Sequence, residues 1–319
     1  MSAQQKLELE EKTYTMDERL RAGAKRISQC ENGVVEGSTR VLQEAQVGVY
    51  ADFAAFLVDV ANRPHDFKDK PPNGRIVLPP RTGKTVIAGQ ILSGACMITT
   101  IIVPTRTLVD QTAKELTAQL PNIPVGMFYG ETKELVMGGV NITTYQILQR
   151  RLAKGGIPPE IMLSSLVFAD EGHHSMTIER QKLLREAFDP LAVRVALTAT
   201  PDYNEERRLG MFFQHLIHQI TISEAIELEM VAPLRVYMAE VDVDGSKVQM
   251  VGQDFDAEKL GHVMSAAPFF EAVRVWRYND QNRGTSALIC CVTKQQSYDL
   301  YKYLKDYRPE GTPEPQLIL

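Results

Sequence analysis

Between residues 75 and 198 the chain alternates short apolar runs with longer stretches of helical spacing. The runs are Arg75–Leu78, Ile98–Val103, Val125–Tyr129, Val140–Thr144, Ser165–Ala169 and Val193–Thr198, most of them rich in Val, Ile or Leu. A strand with one wet face alternates apolar and polar residues. Runs this uniformly apolar predict strands covered on both faces. Leu108–Leu120 and Arg180–Phe188 carry helix-like patterns between runs, and Val41–Val60 has the spacing of a further helix ahead of the first run. Asn62-Arg63-Pro64 and Pro71-Pro72-Asn73-Gly74 interrupt the chain after it. Strands alternating with helices predict an α/β fold built on a doubly wound parallel sheet. In such a sheet ligands bind beyond the carboxyl ends of the strands, so the chemistry is expected just after each run. Residues 1–37 stand apart. Met16, Leu20 and Ile27 share one face of a short helix, but the stretch is charged and otherwise poorly patterned, and a solvated polar extension is the favoured reading.

Composition narrows the class without choosing a function. The 319 residues suffice for two domains, and 44% hydrophobic with 24% charged residues is an ordinary globular balance. The net charge of −5 carries no global polybasic signal, so a nucleic-acid partner needs a local basic surface. The four cysteines, Cys30, Cys96, Cys290 and Cys291, form neither a C-x-x-C nor a zinc spacing. A reduced cytoplasmic protein is the simplest account. No apolar run reaches the ~18 to 20 residues of a membrane span, and the polar, Glu-rich N-terminus is unlike a signal peptide.

Motifs do follow the runs. Gly83-Lys84-Thr85 follows the first, within LPPRTGKTVIAGQI. A strand, a tight loop and a helix starting near Lys84 would aim backbone N–H groups and partial positive charge at one spot. Lys84 would then reach the β- and γ-phosphates and Thr85 would ligate Mg²⁺. Alone, a GKT whose loop lacks the early glycine is as consistent with chance as with a nucleotide site. The fifth run, LVFADEGHHS, ends in two adjacent carboxylates. Asp170 can hold Mg²⁺ and Glu171 can orient and deprotonate an attacking water. An acidic strand end facing solvent is the bland alternative. His173 is placed as a relay to a neighbouring loop and His174 as structural. VALTATP supplies that loop, with Thr198 and Thr200 as hydrogen-bond partners for the acid segment.

The ordered set LPPRTGKT, VPTRTLVDQ, ITTYQIL, VFADEGHH and ALTATP resembles the first lobe of superfamily-two DEAD/DEAH-box helicases, in their DExH variant. In look it is most like the excision-repair and type I and type III restriction helicases. The resemblance covers most of residues 40–230, and ISEAIELEMVAPLRVYMAEVD looks like the stretch that follows this lobe in those proteins. It implies a P-loop NTPase with a RecA-like sheet, ATP and Mg²⁺ as cofactors, and a nucleic-acid partner, DNA favoured over RNA. Loops of this group lack the first glycine, so Leu78 is no defect. Arg81 is a departure. A glycine there can take a left-handed backbone, which costs arginine about 1 kcal/mol; a right-handed loop removes the cost. By resemblance Arg81, Thr82, Gly83, Lys84, Thr85 and Val86 hold the nucleotide. Gln46 stands where the group carries a glutamine that reads the adenine edge, although a plain helix glutamine is an equal alternative. Thr105, Arg106, Gly130 and Thr144 fall where a nucleic-acid backbone is held, with Arg150, Arg151 and Lys154 as either a basic cluster beside them or a solvated helix end.

The expected organisation is a polar extension (1–37), a first RecA-like ATP-binding domain (38–226), a connection (227–265) and the start of a second RecA-like lobe (266–319). TSALICCVTKQQSYDLYKYL resembles that lobe's opening strand and helix. A complete second lobe needs roughly a hundred more residues. No Q-x-x-G-R-x-x-R pattern supplies the arginines that complete an ATP site, so further domains or subunits are expected and this chain alone should hydrolyse ATP weakly. The function expected is an ATP-hydrolysing helicase or translocase motor. A nucleotide-gated binding or scaffold subunit with little ATPase activity is the alternative.

Overall fold

The computed structural model describes residues 15–29, 38–40, 42–62, 72–200, 209–233, 248, 250–251, 254–265, 267–279, 282 and 286–318. The chain divides into two compact units, Met1–Pro233 and Leu234–Leu319.

In the first unit, helices α1 (Met16–Ser28) and α2 (Glu44–Asn62) precede strand β1 (Asn73–Val77). There follow α3 (Lys84–Ala95), β2 (Thr99–Val103), α4 (Arg106–Gln119), β3 (Val125–Tyr129), β4 (Thr132–Glu134) and β5 (Val140–Thr144). Then come α5 (Tyr145–Ala153), α6 (Pro159–Met162), β6 (Leu166–Asp170), a 3-10 turn (Gly172–Met176), α7 (Ile178–Glu186) and β7 (Val193–Thr198). Beyond residues 201–208 are β8 (His215–Gln219) and α8 (Ile222–Glu227). The strands form one sheet in the order β4-β3-β5-β2-β6-β7-β1-β8. Every pairing is parallel except β3 with β4. This is the doubly wound α/β sheet the run pattern predicts.

Both faces are covered. Ile101, Val103, Phe168, Val195 and Leu197 join the core under α1 to α4, while Ile102, Val167, Ala169 and Ala196 join the one under α5 to α7. Successive residues of each strand point to opposite faces, so a strand sandwiched between two cores must be apolar throughout.

Residues 16–28 are not the solvated extension expected. They form α1, whose Leu20, Ala24 and Ile27 are buried in the first core. Thr15 and Glu18 cap it reciprocally, and Arg26 donates from Nε to the Ala95 carbonyl (2.8 Å), tying α1 to the end of α3. Its apolar face is small in the sequence because the buried Gly23 and Ala24 complete it without bulk.

The second unit, taken by itself, holds an antiparallel pair, β9 (Met250–Val251) and β10 (Asp254–Phe255), and helices α9 (Ala257–Met264), α10 (Ala267–Tyr278) and α11 (Lys294–Asp306). Phe270, Tyr278, Leu300 and Leu304 form its small core. The helix expected after TSALICCVT is α11, N-capped by Thr293. The strand expected before it is not formed among the described residues: β9 and β10 pair with each other, and residues 286–291 have no strand partner. No described helix is long and apolar enough to cross a membrane.

Candidate functional site

Three neighbouring strands bring the phosphate-loop, acid and threonine motifs to one edge of the sheet. β6, β7 and β1 are adjacent, so the acid end of β6 and the loop after β1 are about 10 Å apart across the sheet. The loop begins at Leu78, whose N–H donates to the Thr198 carbonyl on β7 (2.8 Å). Thr82 is buried and donates its hydroxyl to the Pro79 carbonyl (2.7 Å). Gln46, on α2, donates from Nε2 to the Thr82 carbonyl (2.9 Å), and its Oε1 accepts from the Gln43 N–H (2.9 Å). Its amide therefore braces the loop from behind. Gly83 has φ 81°, and a Cβ there would lie 2.4 Å from Gln46 Nε2. Glycine is required twice, by the backbone and by its neighbour. Lys84 Nζ donates back to the Leu78 carbonyl (3.3 Å). Thr85 and Val86, half-buried, open α3, and the Val86 carbonyl accepts from Gln119 Nε2 (2.9 Å).

Arg81 resolves the choice the sequence leaves open. Its φ is 66°, left-handed, and its side chain is exposed. The loop therefore carries the strain of about 1 kcal/mol that arginine meets in this conformation.

Across the edge, Asp170 closes β6. Burial, and then the adjacent Glu171 carboxylate, push its pKa above the ordinary carboxylate value. The Glu171 backbone N–H and the charges of Lys84 and His173 oppose that rise, so Lys84 acts on Asp170 electrostatically. Glu171 also has a left-handed backbone, φ 47° and ψ 57°. Gly172 follows against β7, where an added Cβ would lie 2.6 Å from that of Ala196.

His173 gathers the remaining groups. Its Nδ1 lies 3.4 Å from Thr198 Oγ1, 3.2 Å from Thr200 Oγ1 and 3.6 Å from Glu171 Oε2. Thr200 N–H donates to Thr198 Oγ1 (3.1 Å). One ring thus touches both the acid segment and the threonine segment, and Pro201 lies outside the described residues. The His174 ring lies 4.3 Å from that of His173, tilted by 39°. Burial, then the His173 and Arg180 charges, hold it below the usual histidine pKa.

The other half of the sheet edge holds a second feature. β3, β5 and β2 are adjacent there. Arg106, Gly130 and Thr144 line a concavity of about 300 Å³ together with Arg150, Arg151 and Lys154. The basic cluster and the three motif positions are therefore one surface. Thr105 is not part of its wall; its side chain caps α4 by accepting from the Leu108 N–H (3.3 Å). Gly130, φ 52°, starts the two-residue turn between β3 and β4, and a Cβ there would make only ordinary contact with Arg106. The turn, not a close approach, asks for glycine. The same turn swings Lys133 into the wall, a cation that sequence reasoning missed because β4 is too short to register as a strand. Tyr145 and Ser175, also missed, join their hydroxyls at 2.5 Å beneath this region.

Among curated protein sequences none matches this chain. Solved structures similar to it include the SWI2/SNF2 ATPase core of Sulfolobus solfataricus in complex with double-stranded DNA. That match has 16% identity and TM-score 0.40, covering 56% of this chain and 36% of that one. The Hef helicase domain of Pyrococcus furiosus matches at 19% identity and TM-score 0.44, with 79% and 54% covered. The UvsW helicase of bacteriophage T4 matches at 15% identity and TM-score 0.41, with 62% and 66% covered. The chain thus spans less than two thirds of the length of each. By sequence, residues 39–203, which hold strands β1 to β7 of the sheet, match the model of the type III restriction enzyme, res subunit. That span runs from ahead of Gln46 past Thr200 and covers more than half the chain, which belongs to this family and, with it, to the superfamily-two helicases.

Proposed function

We propose that this chain is the ATP-hydrolysing motor of a nucleic-acid helicase or translocase. The observation that carries the reading is the meeting of Lys84, the Asp170–Glu171 pair and Thr198 at the ends of three adjacent strands. In this reading Lys84 leaves the Leu78 carbonyl for the β- and γ-phosphates. Backbone N–H groups of Arg81 to Val86 line the phosphate path at the start of α3. Gln46 is kept near the adenine by its bond to Thr82. Glu171 orients and deprotonates the attacking water.

The donor set fits Mg²⁺. The Thr85 hydroxyl and Asp170 carboxylate are hard oxygen donors. Among the described residues no cluster of three or more His, Cys, Asp or Glu offers a complete cage. An ion held by one or two protein oxygens, with phosphates and water completing it, is the ordinary case for magnesium. When bound it neutralises charge on the β- and γ-phosphates. A cation beside Asp170 would also relieve the repulsion and burial that oppose its ionisation.

Nucleic acid is assigned to the basic concavity, where Arg106, Arg150, Arg151, Lys154 and Lys133 hold the backbone with Thr144 and the Gly130 turn. Thr105 contributes by starting α4. DNA is preferred to RNA on membership of a restriction-enzyme family. His173, Thr198 and Thr200 couple turnover to movement. A second reading, a nucleotide-gated binding subunit with little turnover, draws on the strained Arg81 and on Lys84's bond within its own loop.

ATP turnover with and without single-stranded DNA separates the two. Glu171→Gln should retain nucleotide binding and lose at least 100-fold in turnover, the scale of a general base. Lys84→Ala should weaken binding itself. A turnover unmoved by Glu171→Gln defeats the motor reading.

A further inference from the structure

The basic concavity and the acid segment arise from β5 and β6, which are separated in the sheet by β2. A buried bond nevertheless joins them. Tyr145 is the first residue of α5, directly after Thr144, and is 1% exposed. Its hydroxyl lies 2.5 Å from Ser175 Oγ, either one donating. Ser175 is itself fully buried in the 3-10 turn that starts directly after Glu171. Arg180, on α7, closes the bracket. Its guanidinium sits 4.8 Å over the Tyr145 ring, and its Nη1 donates to the His174 carbonyl (2.6 Å). Burial pushes the Tyr145 phenol up to about 12, so it remains a neutral hydroxyl at any working pH.

We propose that the Tyr145–Ser175 hydrogen bond is a positioning link through which a strand held in the basic concavity sets the conformation of the Asp170–Glu171 segment. The inference rests on the reading of those two regions as nucleic-acid and nucleotide sites. It adds a specific pair of residues that touches neither ligand.

Three observations carry it. First, α5 presents Gln146, Ile147, Arg150 and Arg151 to the concavity and Tyr145 to the interior. A helix is rigid, so its outer wall cannot shift without moving Tyr145. Second, the segment at the far end of the bond has somewhere to go. Glu171 holds a left-handed φ of 47°, a conformation that non-glycine residues keep only when their surroundings impose it. In this proposal a right-handed Glu171 is the second state, and the two together form the two-state element that coupling requires. Third, the 3-10 turn that carries Ser175 also carries His173, whose ring contacts Thr198 and Thr200. Movement at Ser175 therefore reaches the acid pair and the threonine segment together.

The test uses the full chain and three variants, Tyr145→Phe, Ser175→Ala and the double substitution. The affinity for a labelled single-stranded oligodeoxynucleotide is measured with and without a non-hydrolysable ATP analogue and Mg²⁺. The ratio of the two affinities is the coupling factor, and linkage makes it the same in either direction. In the parent it should differ from one, within the ~5- to 150-fold range of such couplings. Each single variant should shrink it by about 3- to 10-fold, the weight of one hydrogen bond. The affinity for each ligand alone should be unchanged. The double variant should lose no more than either single one, since all three delete the same bond. A parent factor of one, variants that keep the parent factor, or losses that add would each overturn the link. Variants that melt at lower temperature yet keep the factor would assign the pair to core packing alone and overturn it too. A parent chain that binds neither ligand is a different failure: it sinks the motor reading first, and the link with it.

Discussion

Asp170 shows how the placement of a single carboxyl bears on stability. Its folded-state pKa is raised, chiefly by burial and then by Glu171. A carboxyl with a raised pKa contributes stability that is complete below its unfolded pKa and is lost as pH climbs through the folded value. Toward neutral pH Asp170 is therefore a liability to the ligand-free protein. Asp170→Asn, which keeps the shape and removes the charge, should melt at a higher temperature than the parent at pH 7. The gap should close as pH falls through the carboxylate range. Thermal melts from pH 4 to pH 7 without nucleotide check this, and a variant no more stable than its parent at pH 7 refutes it. That Lys84, Asp170 and Glu171 would fall at one edge of the sheet was legible in the sequence, because each ends or follows an apolar run in a parallel sheet. The hand of Arg81 was not, since both conformations are open to a loop until its neighbours are placed. Nor was the bracing of Thr82 by Gln46, a contact between residues 36 positions apart.

At the scale of elements, strand β7 carries a buried cation that its pattern conceals. Arg194 is 1% exposed on a strand that is otherwise apolar as far as Thr198. Its Nε donates to the Leu184 carbonyl (2.7 Å), Nη1 to that of Ala192 (2.8 Å) and Nη2 to that of Asp189 (2.9 Å). Burial lowers its pKa to about 10, still leaving it charged at neutral pH. One guanidinium thus satisfies a carbonyl in the last turn of α7 and two in the loop that leads into β7. Such carbonyls are costly to bury unpaired. Arg194→Ala should cost about 3 kcal/mol or more in urea unfolding, the sum of a cavity and the Leu184 and Ala192 carbonyls left without a donor, while the Asp189 carbonyl still accepts from the Ala192 N–H (3.0 Å). Arg194→Lys should recover only part of it, because an ammonium lacks the planar fork. A loss below about 1 kcal/mol would mean water replaces the guanidinium at little cost. The strands of the sheet were legible because burial on both faces leaves a continuous apolar run. β8 was not: it lies at an edge, and His215, Leu216 and Gln219 are exposed. α1 had a readable signal in Thr15 to Glu18, the spacing of a capping box ahead of an apolar face.

For the molecule as a whole the informative quantity is charge placement. The chain carries a net −5, yet the concavity at the end of β3, β5 and β2 is lined by five cationic side chains and one carboxylate, Glu131. An acidic protein that gathers cations in one hollow repels polyanions elsewhere and accepts them there. Neither the sign nor the site could be read from total charge, because Lys133 reaches the cluster only through the β3–β4 turn and Arg106 only through the parallel order of β2 beside β5. If the hollow holds a phosphate backbone, each cation that neutralises a phosphate releases condensed counterions. The logarithm of affinity then falls linearly with the logarithm of salt, by ~0.7 per contact for a single strand and ~0.9 for a duplex. Lys133→Ala and Arg150→Ala should each weaken binding and flatten that slope by about one contact's worth. The loss should be alike for unrelated base sequences, since backbone contacts carry no sequence information. Arg21→Ala supplies the control: that arginine is paired with Asp17 on α1, outside the concavity, and the slope should not change. Titrations at several salt concentrations check all three. A slope that is the same for Lys133→Ala, Arg150→Ala and the parent would place the nucleic acid elsewhere, because no rearrangement of neutral contacts reproduces the release of ions.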